Sequence, residues 1–488
     1  MMKHLFRHIL TSMLAATALA SCSDDSPVAP AAAPDAEVYF SIDLSLPSTS
    51  EGSRSSTKDD GTSSDGTLAA TPEECAIKSM VLVFTSADDN KTLLHVNIGE
   101  DAIVTDGTDK TRRTASASMK LTDVTRALAG KNLNLYILAN PLPVPLYDVN
   151  ASPLRDLETG KFDPMTAKYD IEQFSDIQLG HYAEALPMSN AELYTISGLT
   201  ADNLAEHINS STPLLLNDYH AKKTPVLLER SVARIDYKDG SPTGDFTYQL
   251  GNSKYHAKVV ELKLCTLSRA MYCFRHTSPD GSDDKKQLFG IEKKESGYVM
   301  DTDAADKRAL KNLYMEDGIE VTGNETATDS KYVNAFRIPY DERPDAGDGY
   351  RVLQYIPENT HPSIESQIQA NTTALHFVVE VIDVPEEIKG KEQPITVEYD
   401  GGTWTVPYKG GAYLLDYYYF IQHNDNGLDG VMGVMEYGIV RNNVYRLSLL
   451  SIDGPPTPLV PEEPDEDPRL TLKVRVKKWG YHKIVFDM

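Results

Sequence analysis

The chain has little on which chemistry could be built. Of its 488 residues only 4 are cysteine and 2 are tryptophan, too few cysteines for a disulfide framework. No GxSxG, HExxH, CxxC or P-loop pattern occurs. Its 12 histidines are scattered without paired ligand spacing, which points to no metal. No nucleophile, base or carboxylate pair stands out, so the expectation is a non-enzyme without a cofactor. Positive charge is also short. Lys and Arg total 47 against 72 Asp and Glu, for a net charge of −25. Without a basic patch this argues against nucleic acid and fits a soluble extracellular surface. Long apolar runs are missing too: Ile9 to Ala20 is too short to span a bilayer. No fixed repeat period is visible, which argues against a solenoid or propeller.

What is present favours β structure. Tyrosine outnumbers phenylalanine by 26 to 12, and Thr and Val recur in short runs. The clearest stretch is the last, RLTLKVRVKKWGYHKIVFDM from Arg469 to Met488. Leu470, Leu472, Val474 and Val476 alternate with Thr471, Lys473, Arg475 and Lys477, the pattern of a half-buried strand. The proline-rich acidic stretch Pro455 to Pro468 precedes it and reads as a tether. Trp479 and Gly480 interrupt the alternation and suggest a bulge or bend, with Ile484 and Phe486 beyond it. A second segment of the same kind lies at the other end, with Val38, Phe40, Ile42, Leu44 and Leu46 on one face. On these residues alone the tail fits best as an ordinary edge strand of its own sandwich.

The N-terminus reads as a secretory signal, with Lys3 and Arg7 before the apolar run, ending in Leu19-Ala20-Ser21-Cys22. That ending resembles a bacterial lipobox, in which Cys22 takes lipid and holds a precursor to a membrane surface. An ordinary cleaved signal with a chance cysteine is the alternative. Pro47 stops the strand 38–46, and the stretch to about Thr71 is small and polar, with little to bury. Arg54 lies in it and is a candidate processing site, though on residues alone a loop arginine is usually just solvated.

Strand patterns then follow from Ile77: IKSMVLVFT, TLLHVNIG, ASASMKLTDV and KNLNLYILANP. Thr122 to Leu128 reads as a short helical turn, and FSDIQLGHYAEALPMSN and LTADNLAEHI as helical fragments. Val226 to Lys238 reads as one long strand at the seam between two domains. Later strands recur at sandwich-like spacing, and Asp400-Gly401-Gly402 reads as a hairpin turn. Cys75, Cys265 and Cys273 remain after Cys22, and Cys265 and Cys273 either pair across a hairpin or pack unpaired. His423 to Gly427 is rich in oxygen ligands but lacks EF-hand spacing and reads as a turn. Asp301 and Asp303 read as loop solvation. Tyr417 to Phe420 reads as core and sheet face in preference to a carbohydrate platform.

Several stretches, in order, resemble the type V pilins of the Bacteroidota, in the major-subunit branch of the short fimbriae. They are the lipobox at Cys22, SIDLSLP followed by an arginine, LYILANP at 135–141, LERSVARID at 228–236, YIPENT at 355–360, EYGIVRNNVYRLSLLSI at 436–452 and the terminal VKKWGYHKIVF. Asp24 and Asp25 after the cysteine look like the acidic signal that sends lipoproteins of this phylum to the outer surface. The resemblance implies an all-β-dominated fold of two tandem transthyretin-like sandwiches with short helices in loops and a C-terminal donor strand. Its divisions are a signal at 1–21, a propeptide at 22–54, domains at 55–235 and 236–454, and tether and donor at 455–488.

The resemblance further implies a precursor lipoprotein at the outer membrane, cut by an arginine-specific protease between Arg54 and Ser55. The strand carrying Val38, Phe40, Ile42, Leu44 and Leu46 is then lost. Leu470, Leu472, Val474, Val476, Trp479, Ile484 and Phe486 of a neighbour fill the groove. Arg112-Arg113 is the alternative cut, read as a solvated pair. The implied partners are further copies of the chain, accessory anchor and tip subunits, the protease and the membrane. The implied role is a subunit of a cell-surface fimbrial shaft supporting adhesion. The competing readings are a monomeric surface lipoprotein that binds glycans or a host protein, and a tip or anchor subunit.

Overall fold

Alternation alone makes the first strand. In EVYFSIDLS the even-numbered positions are apolar, and β1 (Glu37–Ser45) buries Val38, Phe40, Ile42 and Leu44 while polar residues occupy most of the other face. A computed structural model describes residues 36–46, 67–141, 153–170, 185–240, 246–250, 253–268, 270–289, 298–302, 319–320, 343–382, 384, 391–399, 402–423, 431–452, 454–456 and 470–480. The structure is dominated by strands, as the composition implies. Cys22, Arg54, Ser55, Ile484 and Phe486 lie outside the described residues, as do Asp303 and 424–430.

After β1 come β2 (Thr67–Ala69), β3 (Ser79–Ser86), β4 (Thr92–Gly99), β5 (Ile103–Thr105), β6 (Arg112–Lys120), α1 (Leu121–Leu128) and β7 (Leu133–Ala139). With later strands, all of these strands except β2 form a ten-stranded sheet whose path runs β4, β3, β7, Met188–Asn190, Val226–Arg230, β1, β6, β5, with Tyr194–Ile196 pairing β7 and Leu214–Leu215 pairing β1 off that path. Helix α1 buries Leu121, Val124 and Leu128, spaced to lie on one helical face. Gly130, at φ +71°, then turns the chain back, its N–H bonding to Leu199 O.

The second half is two facing sheets. One runs β2, Leu470–Gly480, Asn443–Ile452, Ala233–Asp239, Tyr350–Ile356, Asp345–Gly347. The other runs Phe246–Leu250, Ser253–Cys265, Ala374–Val381, Ala412–Phe420, Tyr408–Lys409. Tyr237 and Phe377, both buried, meet edge-to-face across the gap at 5.8 Å.

Several local expectations change. Val226–Lys238 is two strands, interrupted at Ser231-Val232: the first half pairs with β1 and Met188–Asn190, the second with Tyr350–Ile356 and Asn443–Ile452. The segment is a seam, but a continuous ladder cannot serve both sheets, and Ser231 N–H turns aside to Pro187 O. Arg112 and Arg113 open β6 itself. Arg113 is buried and donates to Lys110 O and Arg112 O, so it is not a solvated residue. Asp301 is likewise buried, and its carboxylate accepts the Thr360 N–H at 2.6 Å because a loop carboxylate held against a backbone donor is satisfied without water. Met188–Asn190, expected in a helical fragment, is a strand held between β7 and Val226–Arg230. Gly402 already pairs with Tyr399, so the hairpin turn narrows to residues 400–401, outside the described set. Cys265 and Cys273 are both buried and unbonded.

Candidate functional site

The site is a strand slot, and β1 fills it. On one side β1 runs antiparallel to β6 over its whole length, from Glu37 opposite Lys120 to Ser45 opposite Arg112. On the other it runs parallel to two short pieces, with Phe40 opposite Leu214 and Leu44 opposite Val226. It is therefore an interior strand, with both backbone edges committed. Val38, Phe40, Ile42, Leu44 and Leu46 sink into the core. At about 1.5–3 kcal/mol each, their burial is a gross term on the order of 10 kcal/mol, an upper bound because an unfolded chain is not fully extended.

The outer face of β1 is tied by polar contacts. Thr114 Oγ1 donates to Asp43 Oδ1 at 2.7 Å, and Asn217 bridges the Asp43 backbone, accepting from its N–H at 2.7 Å and donating to its carbonyl at 3.1 Å. The ends are clipped as well: Leu121 N–H bonds to Ala36 O, and Leu46 N–H to Thr111 O at 2.9 Å. Removing this strand would open two unpaired backbone edges and a row of apolar pockets, the arrangement that extended segments fill by β-augmentation.

The second candidate strand, Leu470–Gly480, is seated at home. It runs antiparallel to Asn443–Ile452, with positions 472, 474 and 476 opposite Leu449, Leu447 and Tyr445, all three of which are buried. Leu472 packs half-buried against the core. The strand continues unbroken through Trp479 and Gly480, where β2 pairs with it in parallel, Leu68 opposite Trp479. The chain after Gly480, where the expected bend would lead on to Ile484 and Phe486, lies outside the described residues. A register shift lies in the neighbouring strand, between Leu449 and Ser451. The segment is thus not a free appendage here: residues 470–478 are paired in a sheet of their own chain, and Leu472 meets the core.

The two strands sit in like surroundings. Each has one long antiparallel neighbour, β6 for β1 and Asn443–Ile452 for the terminal strand. Each has short parallel pairing on its other edge, and both sequences alternate apolar and polar positions. A segment with the pattern and direction to occupy one slot is suited to the other.

Between the slots lies a buried polar cluster that reading the sequence missed. Glu74, in the short 3-10 turn Glu73–Cys75, accepts from Arg234 Nη1 at 2.6 Å and from the Tyr355 hydroxyl at 2.8 Å. Its second oxygen accepts the Thr71 N–H at 2.7 Å, and Arg230 Nε donates to its backbone carbonyl. Arg234 also pairs with Asp236, which receives Arg446 from the neighbouring strand. Burial pushes the Glu74 carboxyl up, but Arg234 and Arg230 more than offset it, leaving its pKa below the ordinary value. For Asp236 burial prevails over Arg234, and its pKa is raised. The signal was available: Arg230, Arg234 and Asp236 are charges within an otherwise strand-like run, and a charge there needs a partner.

Other constellations resolve as packing. In Tyr417–Phe420, residues 417, 419 and 420 are buried and Tyr418 is half-buried, stacked on His376 at 4.4 Å. His423 bonds the Tyr445 hydroxyl at 2.8 Å in the interior. Among the described residues no group of three or more His, Cys, Asp or Glu is placed to hold a metal ion, and no helix is long and apolar enough to cross a membrane.

Residues 408–484 match the family model described as "Major fimbrial subunit protein type IV, Fimbrillin, C-terminal". The matched segment includes Asn443–Ile452 and the terminal strand that pairs with it. No curated protein matches the chain. Among solved structures it is similar to a candidate cell adhesion protein from Parabacteroides distasonis ATCC 8503, at 16% identity over 92% of this chain and 99% of that one, TM-score 0.42. It is also similar to the tip fimbrial protein Mfa3 from Porphyromonas gingivalis with C-terminal truncation, at 11% identity over 91% of this chain and 100% of that one, TM-score 0.38. A third is a fimbrial assembly protein from Parabacteroides distasonis ATCC 8503, at 12% identity over 85% and 91%, TM-score 0.36.

Proposed function

We propose that this chain is a structural subunit of a cell-surface fimbrial shaft, joined to further copies of itself by donor-strand exchange. The fimbrillin match over residues 408–484 supports a fimbrial subunit. The observation that carries the exchange step is the likeness of the two slots. β1 occupies an interior position that a terminal strand of the same direction and alternation is suited to take.

In this reading the precursor is exported as a lipoprotein, lipidated at Cys22 and held at the outer membrane. While β1 is present the acceptor slot is full, so the precursor cannot join. An arginine-specific protease cuts between Arg54 and Ser55, β1 leaves, and the terminal strand of a neighbour enters with Leu470, Leu472, Val474 and Val476 over the vacated pockets. Trp479, Ile484 and Phe486 extend the joint. Anchor and tip subunits terminate the fibre.

A second reading has its own support in the home seat of the terminal strand. A surface lipoprotein that stays monomeric and binds glycans or a host protein would keep both strands permanently. N-terminal sequencing of subunits from sheared filaments separates the two. The shaft reading expects Ser55 as the first residue. Material that begins at Cys22 and stays monomeric after a cut at Arg54 overturns it.

A further inference from the structure

We propose that Asn217 is the residue with which the acceptor slot grips an incoming strand, holding the backbone at the position of Asp43, and that Lys473 of the neighbouring copy takes that position. The inference rests on the exchange reading above and deepens it by naming a positioning residue and a register.

The slot has a gap in one wall. On its parallel edge β1 meets two separate pieces, Phe40 and Ser41 opposite Leu214 and Leu215, then Leu44 and Ser45 opposite Val226 and Leu227. That ladder passes over residues 42 and 43. Between the pieces the chain leaves the edge in the short 3-10 turn Leu216–Tyr219. Asn217, buried in that turn, closes the gap with its side chain: Oδ1 accepts the Asp43 N–H at 2.7 Å and Nδ2 donates to the Asp43 carbonyl at 3.1 Å. A carboxamide has a donor side and an acceptor side, as a peptide group does, so it stands in for the missing strand residue.

The grip is held from behind by parts of the body that do not leave with β1. Nδ2 of Asn217 also donates to the Tyr194 hydroxyl at 3.0 Å and to the Thr224 carbonyl at 3.1 Å, and that hydroxyl donates to the same carbonyl at 2.7 Å. His220 stacks on the Tyr194 ring at 3.9 Å. Because a carbonyl only accepts, Thr224 fixes which way the amide faces and leaves Oδ1 aimed at the strand position. Both bonds to β1 go to its backbone, so the grip suits any residue there but proline.

Backbone recognition does not choose the register, since shifts of two residues keep the same face inward. The pockets choose it. Phe40, Ile42, Leu44 and Leu46 are each at 5% exposure or less. For a strand entering in the direction of β1, Lys473 at the Asp43 position brings Leu470, Leu472, Val474 and Val476 to those places. A shift of two residues one way sets Lys478 at the place of Leu46, where an uncompensated charge is costly. The opposite shift sets Pro468 at the place of Phe40 and carries Val476 beyond Leu46. The favoured register puts Pro468 in the place of Val38, at the start of the strand, and gives up one ladder N–H there.

The test uses precursor cut after Arg54, with β1 still seated, and an excess of labelled synthetic peptide covering residues 468–488. Entry of the peptide is followed by gel filtration for the native chain and for Asn217→Ala. N-methylation at Lys473 removes the N–H that Oδ1 accepts and sets a methyl group against it. Entry is expected to fall about tenfold or more in the native chain but less than about threefold in Asn217→Ala, where partner and obstacle are both gone. N-methylation at Thr471 or Arg475, which would face Leu215 and Leu227, is expected to cost the same in both chains. A purely structural role for Asn217 would weaken all the peptides alike, without coupling to one position. Equal losses at Lys473 in the two chains, or coupling at another position, overturn the proposal.

Hydrogen exchange on the native chain with the unmodified peptide seated needs no variant. The Lys473 amide is expected to exchange at least about tenfold more slowly than in the free peptide, as Thr471 and Arg475 do. A Lys473 amide as open as in the free peptide overturns the grip. If the unmodified peptide does not enter at all, the exchange reading fails and this proposal with it; entry without coupling removes only the part assigned to Asn217.

Discussion

Arg234 and Glu74 lie 2.6 Å apart with their side chains at 2% and 1% exposure, and this pair ties the segment after β2 to the strand that begins the second half. A buried pair of this kind adds little relative to well-packed apolar residues, but breaking it is expensive because one charge is left without compensation. Glu74→Gln is therefore expected to lower the unfolding free energy by about 3–5 kcal/mol, measured by urea denaturation of the cut chain.

The same carboxyl gives a pH dependence of defined sign. Its folded-state pKa lies below the ordinary value of 4.5, so its contribution is present above about pH 4.5 and is lost as pH falls through the folded value. Asp236, raised by burial, works in the opposite direction. The difference between native protein and Glu74→Gln therefore isolates the Glu74 part. The destabilisation caused by Glu74→Gln should shrink on acidification below pH 4.5; a difference that stays constant from pH 6 to pH 3 contradicts this.

In the proposed exchange β1 contributes to the precursor and is absent from the filament. Phe40→Ala is expected to destabilise the intact precursor by about 3–5 kcal/mol, the usual range for a buried phenylalanine. It should leave the filament subunit cut after Arg54 unchanged. Thermal unfolding of the precursor and of filaments made from it distinguishes the two. Filaments that inherit the defect would show that β1 is retained.

Deleting residues 470–488 has two expected effects. The deletion exposes the backbone edge of Asn443–Ile452 and removes Leu472 from the core it packs against, so the monomer should melt several degrees lower. It should also join no filament as donor. Light scattering after cutting checks the second effect, and calorimetry the first.

Much of the fold was legible in local pattern. Alternation at Val38–Leu46 and at Leu470–Val476 predicts strands, and both are strands. The helical turn after β6 is α1, and Ala201–Glu206 forms within LTADNLAEHI, capped by Thr200. The failures share a cause. Ser231-Val232 carries no breaker, so nothing nearby announced that the chain changes sheets there. The surroundings of Arg113, Asp301 and Glu74 depend on residues far along the chain, Glu74 meeting Tyr355 and Arg234 in particular.

The sequence by itself determined that two segments at opposite ends share one pattern, because side-chain alternation is a property of each segment alone. Only the tertiary structure decided where each one lies: β1 inside the first sheet, and the terminal strand between Asn443–Ile452 and β2 in the second. Neighbours, direction and register are set by backbone pairing with distant parts of the chain. An alternating strand carries its apolar face with it but not the identity of the edge it meets.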